Sequence, residues 1–286
     1  FILQPYVSQE GSKRYKATGD AIFQNMTLLR RGEEDYILIG SGDHIYKIDF
    51  SRVFDFHLSN DADITLLVKE LDDTYNLSQY GIVELSGNRI TNIEEKPQKP
   101  KTNIGFLGIY FMNKYLLMEL LYNYVTKGET DLLSIVTSQL DRLRVCGYLF
   151  NGYWRNVKKG IDEYFRINMD GLKKEVREEL FYKHGKIYTK LKDLPPPKIG
   201  SAAVVKNSIL SDGCIVNGSV ENSILFRGVY VKAGAAIENS VVMQDTVIEE
   251  GAIVKNAILD KEVLIRQESR LVGRDSIAIL EKRAVL

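Results

Sequence analysis

Aliphatic runs alternate with segments of helical periodicity over the first two thirds of the chain. Runs at 36–41, 63–69, 106–112 and 143–149 suit buried strands, while apolar positions recur with helical spacing around 20–31, 48–58, 113–125, 130–142 and 160–176. This alternation predicts an α/β domain with a mostly parallel sheet. Gly81-Ile-Val-Glu-Leu and Arg89-Ile-Thr-Asn-Ile, joined by Ser86-Gly87-Asn88, predict a hairpin attached to that sheet.

The texture changes after Pro195-Pro196-Pro197. Asn-Ser-Ile-Leu at 207–210 recurs as Asn-Ser-Ile-Leu at 222–225, Asn-Ser-Val-Val at 239–242 and Asn-Ala-Ile-Leu at 256–259, at spacings of 15, 17 and 17. Between these motifs lie β-branched pairs such as Ile215-Val216 and Val247-Ile248. Aliphatic residues therefore return about every six positions, three per repeat, with Gly and Asn at the corners. A six-residue face cannot bury its apolar side alone, so the coils are predicted to stack as a triangular parallel β-helix. A sandwich of antiparallel strands would explain the alternation but not the recurring Asn-Ser.

Composition removes several classes. The 286 residues suffice for one large or two ordinary domains. The 38 Lys+Arg balance the 38 Asp+Glu, which gives no general attraction to nucleic acid or to an anionic membrane. No apolar run approaches the roughly 20 residues needed to cross a bilayer. Cys146 and Cys214 stand far apart in strand-like settings and read as buried free thiols of a cytoplasmic protein. The chain begins at Phe1 without Met, which suggests a fragment incomplete at its front.

The stretch from Tyr36 to Tyr46 concentrates the candidate chemistry. A strand-forming run meets the small corner Gly40-Ser41-Gly42 and then Asp43, where ligands gather at strand ends in open α/β sheets. Asp43 reads equally as a carboxylate that holds a divalent cation and as a helix N-cap. His44 is expected to bond to backbone. His57 and His184 lack a partner pattern for metal or nucleophilic chemistry. Hexad β-helices also build acyltransferases, which use a catalytic His; none follows His184, so that alternative is remote.

Ser41-Gly-Asp-His-Ile-Tyr-Lys-Ile-Asp-Phe50 resembles the strand end of bacterial glucose-1-phosphate adenylyltransferases. Further matches follow in that family's order. Tyr15-Lys-Ala-Thr-Gly-Asp-Ala21 resembles its nucleotide segment, Tyr-x-Gly-Thr-Ala-Asp-Ala. Tyr80-Gly-Ile-Val and Ile93-Glu-Glu-Lys-Pro97 resemble elements near the sugar phosphate, followed by Gly108-Ile-Tyr, Gly152-Tyr-Trp-Arg-Asn-Val157 and Asn168-Met-Asp. The resemblance runs from about Tyr15 through the repeats. It implies an N-terminally incomplete, nucleotidyltransferase-like α/β domain with a Rossmann-like mixed sheet over 1–183, a connector over 184–198, and a left-handed parallel β-helix over 199–286. It also implies nucleotide binding by Tyr15, Thr18, Asp20, Gly42 and Asp43, with Glu95 and Lys96 at the sugar phosphate. For Glu95 and Lys96 an exposed ion pair before Pro97 is the competing reading. Tyr153 and Trp154 are expected to pack rather than to contact substrate.

The departures from the family pattern fall where ligands should sit. The family's Tyr-Trp-x-Asp-Val-Gly-Thr reads Tyr153-Trp-Arg-Asn-Val-Lys-Lys159, so the Asp that would join Asp43 around Mg²⁺ is Asn156. A neutral amide is the weaker Mg²⁺ ligand. A family serine aligns with Phe106, a family Lys aligns with Ser134, and Ala17 and Gly19 exchange small residues. This pattern resembles the second, GlgD-type subunit that accompanies a catalytic GlgC-type subunit. It implies a regulatory, weakly active or inactive member of a hetero-oligomer in glycogen biosynthesis, homo-oligomeric when isolated; a fully active enzyme is the alternative. Leu225-Phe226 with Tyr230 is expected to supply apolar surface for assembly.

Overall fold

The structure, a computed structural model, describes residues 2–5, 14–183, 185–189 and 192–286, so Phe1 and His184 lie outside the described residues. Contacts group the chain into two compact units, Phe1–Gly42 with Asp49–Asn151 and Asp43–Ile48 with Gly152–Leu286.

The first unit contains α1 (Thr18–Gln24), α2 (Met26–Arg31) and β1 (Tyr36–Ile39). The short strand β2 (His44–Tyr46) belongs to the other unit, and the chain returns through α3 (Phe50–Ser59) and β3 (Ile64–Glu70). The predicted hairpin forms as β4 (Gly81–Ser86) and β5 (Arg89–Glu95). Then come β6 (Ile104–Asn113), α4 (Lys114–Val125), α5 (Leu132–Thr137) and β7 (Val145–Leu149). The sheet order is β1-β6-β3-β7-β5-β4.

The expectation of a mostly parallel sheet is corrected here. Only β3 and β7 pair in parallel; β1–β6, β3–β6, β4–β5, β4–β6 and β5–β7 are antiparallel. The reason lies in the connections. β1, β3 and β7 run the same way, but β6 follows the hairpin without an intervening helical crossover and enters reversed, between β1 and β3. Strand β3 is central: Ile64 through Val68 are all buried, and Ile64, Leu66 and Val68 pack with Leu117, Leu121, Ile135 and Val136 of the covering helices.

Three predicted helices are shorter or broken. Between α1 and α2, Asn25 leaves helical geometry (φ −108°, ψ 19°), and its amide nitrogen bonds Ala21 O at 2.8 Å. Helix α5 stops at Thr137 instead of 142, where the Thr137 and Ser138 hydroxyls turn back onto the Leu133 and Ile135 carbonyls. The segment expected at 160–176 forms α6 (Ile161–Asp170) and α7 (Lys174–Arg177), interrupted after Gly171.

His57 sits on α3 at 3% exposure, its Nδ1 2.8 Å from Thr65 Oγ1 and its ring edge-on to Tyr36 and Phe111. Burial lowers the pKa of this imidazole from its ordinary 6.5, opposed by the Asp63 carboxylate. The unfolded chain then takes up the proton first, so stability should be lost as pH falls through about 6.5. Thermal melts should show the parent losing more midpoint between about pH 7 and pH 5 than a His57→Asn variant.

In the second unit, residues 198–286 form parallel coils in register. Val204, Ser219, Ala236, Ile253 and Arg270 stack on successive coils, as do Tyr230, Val247 and Leu264. Three inward columns make the core: Val220-Ile237-Val254, Leu225-Val242-Leu259 and Val216-Val231-Ile248-Ile265. The Asn-Ser motif has a direct physical basis. Asn207, Asn222, Asn239 and Asn256 turn one corner at φ of 40°, 44°, 43° and 50°, a region that Asn tolerates better than most residues. Their amides stack, Asn207 donating to Asn222 at 2.7 Å and Asn239 to Asn256 at 3.1 Å.

The serines form a second ladder. Ser240 Oγ donates to Glu238 O at 2.7 Å and accepts from Ala257 N at 3.2 Å on the next coil; Ser223 makes the equivalent pair of bonds to Glu221 O and Ser240 N. Leu225 is fully buried in the core, so it cannot serve assembly as expected. Outside that core, Ile224, Val241 and Ile258 are also buried, and α6 packs against the strand Ala236–Val242. Replacing Ser240 by Ala removes the serine oxygen that the buried Ala257 N–H bonds and the hydroxyl that Glu238 O accepts from. It should destabilise this unit by about 1–3 kcal/mol, read as a lower unfolding midpoint in denaturant.

Candidate functional site

Asp43 and Asn156 come together inside the second unit because β2 pairs antiparallel with β8 (Trp154–Asn156), which sets His44 opposite Asn156. Asp43 O accepts from Val157 N at 2.9 Å, closing the end of this ribbon. Asp43 is therefore not a helix cap. That role falls to Asp49, which accepts from Ser51 N at the start of α3.

Both ends of the Asn156 amide are engaged. Its Oδ1 caps the 3₁₀ turn Val157–Lys159 by accepting from Lys158 N at 2.8 Å. The cap orients the amide so that Nδ2 faces His44 Nε2 at 2.9 Å. Asp43 Oδ1 lies 3.3 Å from the same nitrogen. His44 is thus placed between the two candidate ligands instead of on backbone alone, with its ring edge-on to Trp154 at 5.0 Å. Trp154 is 1% exposed, in keeping with a packing role.

Beside this pair lies a charge network that sequence reasoning missed. Arg155, 7% exposed, reaches Glu163 Oε1 at 3.4 Å and Asp170 Oδ2 at 3.7 Å on α6. Tyr153 OH donates to Asp170 at 3.1 Å, and Lys173 Nζ lies 2.6 Å from it. The prior signal in the sequence was an Arg set between Tyr153-Trp154 and Asn156 in a short strand. Removing one member of such a buried group leaves its partner charge uncompensated.

The remaining candidates lie in the first unit. Glu95 and Ser134 line one cavity of about 330 Å³ together with Asp131. Lys96 pairs with Glu95 at 3.0 Å, with both side chains more than half exposed. Ser134 lies in the first turn of α5, its N and Oγ both donating to the Asp131 cap. Phe106 is buried edge-on to Tyr110 at 4.9 Å. Burial holds the Tyr110 phenol well above its ordinary pKa of 10.0, reinforced by the Asp131 and Glu95 charges.

In the nucleotide-segment candidates, Tyr15 OH accepts from Asn25 Nδ2 at 2.9 Å, and Thr18 is exposed at the start of α1. Asp20 is 8% exposed and holds its own segment, accepting from Lys16 N at 2.8 Å and Gln24 Nε2 at 3.0 Å. A side chain at Gly19 would meet Thr130 O at 2.7 Å, so glycine is required there by close backbone approach. Gly42 sits exposed in a turn, where a Cβ would meet nothing within 4 Å.

Among the described residues no group of three or more His, Cys, Asp and Glu side chains could hold a metal ion. The Asp43–Asn156 pair offers one carboxylate and an amide oxygen that also accepts from Lys158 N. Among the described residues, no helix is long and apolar enough to cross a membrane.

The nucleotidyl transferase family model matches residues 3–174, and a GlmU-like C-terminal hexapeptide model matches residues 196–280. The chain belongs to the nucleotidyl transferase family. Within that class its match is to glucose-1-phosphate adenylyltransferases. It is 40% identical to the enzyme of that name from Acetivibrio thermocellus over 239 residues, covering 82% of this chain and 56% of the relative. It is 35% identical to one from Bacillus thuringiensis over 243 residues, covering 82% and 63%. A third, from Clostridium perfringens, is 37% identical over 243 residues, covering 82% and 60%. The chain thus spans less than two thirds of the length of these relatives.

Substituting Asn156→Asp tests the amide's role. One oxygen still caps the turn, but the other can only accept, so the Asn156→Asp variant should hold a proton on His44 Nε2 more strongly than the parent does. Nitrogen chemical shifts of His44 should report the change; unchanged shifts would show that Asn156 does not set the ring's proton.

Proposed function

We propose that this chain serves as a subunit of a glucose-1-phosphate adenylyltransferase, which converts ATP and glucose 1-phosphate into ADP-glucose and pyrophosphate. Its role is regulatory and GlgD-type, with little activity of its own, beside a catalytic GlgC-type subunit in a cytoplasmic hetero-oligomer. The observation that carries this reading is the bonding of Asn156. An amide that caps a turn and faces His44 brings no charge to the place where phosphate charge must be neutralised. Loss of such electrostatic stabilisation typically costs on the order of 3 kcal/mol, or roughly 10²–10³-fold in rate.

Phe106 and Ser134 support the same reading, since one has no hydrogen-bonding group and the other bonds to Asp131. Nucleotide contacts would come from Tyr15, Thr18, Asp20, Gly42 and Asp43, and Mg²⁺ would be held weakly through Asp43. The test is ADP-glucose production by the natural full-length protein alone, by a catalytic subunit alone, and by the two together. Little turnover alone and a changed partner rate are expected. Robust turnover alone, or a partner indifferent to this protein, would overturn the assignment.

A further inference from the structure

Helix α4 and the chain just past α5 frame a second cavity of about 360 Å³, which shares no lining residue with the one at Glu95 and Ser134. Its polar lining is Glu119, Asn123, Tyr124, Lys127, Gln139 and Arg142, and Leu120 and Leu143 add an apolar part. The sequence accounts for this grouping. Glu119, Asn123 and Lys127 recur at four-residue spacing along α4 and just past its end, which sets them in one row. Gln139 and Arg142 come from a tight turn in which Arg142 N and Leu143 N both bond Gln139 O, at 2.9 and 2.8 Å.

The charges in this cavity are uncommitted. Among the described residues, the Lys127 ammonium, the Arg142 guanidinium and the Glu119 carboxylate each have no hydrogen-bonding or ion-pair partner. The Tyr124 phenol oxygen accepts from Nε2 of Gln139, a side chain 5% exposed, so its own proton is left for another acceptor. The negative end of α4 is closed. Tyr122 O accepts from Thr126 Oγ1 at 2.7 Å, and Tyr124 O and Val125 O accept from Lys127 N and Gly128 N at 3.0 Å. Side chains therefore set the polarity, and two cations, a phenol proton and the Asn123 amide stand against one carboxylate.

A phosphate monoester carries about −1.5 to −2 charge at neutral pH and several acceptor oxygens, which matches two cations and a phenol donor. Glu119 precedes Lys127 by roughly 12 Å of helical rise, so it leaves the anion clear and suits a hydroxyl at the other end of the same molecule. The volume fits a small ligand. We propose that this cavity binds a small phosphate monoester that bears a hydroxyl group. Lys127, Arg142 and the Tyr124 phenol take the phosphate, and Glu119 takes the hydroxyl. The site stands apart from the substrate positions assigned above, and it holds whether or not the chain is regulatory.

Isothermal titration of the natural full-length protein would use glycerol 3-phosphate, inorganic phosphate and glycerol as probes. Glycerol 3-phosphate should bind, inorganic phosphate more weakly, and glycerol not measurably. Lys127 and Arg142 are exposed, so replacing both by Gln should leave a folded protein and weaken glycerol 3-phosphate at least roughly tenfold. Lys206→Gln, an exposed charge change in the other unit, should leave the affinity as it was. Glu119→Gln removes the repelling carboxylate, so it should tighten inorganic phosphate and narrow the margin of glycerol 3-phosphate over it. Four results would each overturn the proposal: no binding of glycerol 3-phosphate by the parent, an unchanged affinity in the folded double variant, an equal loss with Lys206→Gln, or a margin unmoved by Glu119→Gln.

Discussion

The pairing of two three-residue strands governs the candidate site. β2 and β8 bring His44 against Asn156 across 112 positions of sequence, and the amide of Asn156 then joins a cap, an imidazole and the neighbourhood of Asp43. So short a ribbon has little hydrogen bonding of its own. It is fixed by what its side chains reach on either side: Trp154 is buried against His44, and Arg155 is tied to two carboxylates of α6. Asn156 is therefore held in place by the packing and charge of the two strand residues before it.

The repeats were legible because their chemistry is local and recurs. An Asn that adopts positive φ and a Ser that bonds to the next coil must both return once per turn, so the motif carries its own period. The α/β sheet was legible only in part. Alternation identified its strands and helices, yet gave the wrong balance of directions, since β6 inserts between β1 and β3 by long-range packing. Helix ends failed for a nearer reason. Thr137 and Ser138 bond their own preceding carbonyls, and Gly171 follows Asp170 where apolar periodicity continues.

At the site, residue identity spoke clearly and geometry did not. Asn156 in place of Asp was visible in the chain, but not that its oxygen caps Lys158 N while its nitrogen addresses a histidine. Asp49, six positions after Asp43, took the capping role that Asp43 had offered. The Arg155 network depends on α6 folding back beside β8, which spacing along the chain does not encode. In each case tertiary contacts, not spacing along the chain, decide which partner a side chain takes.

The serine ladder bears on how this protein ages. Asn-Ser sequences are prone to lose ammonia when the nitrogen following Asn attacks the side-chain amide carbon. Here the nitrogens of Ser223, Ser240 and Ala257 each donate to a serine oxygen on the preceding coil, at 3.1, 3.1 and 3.2 Å. The amides of Asn239 and Asn256 are at the same time held in bonds along the stack. The contacts that set the coil corner also restrain the attacking atom, so a motif that is chemically fragile in a loose chain becomes durable once the coils are stacked.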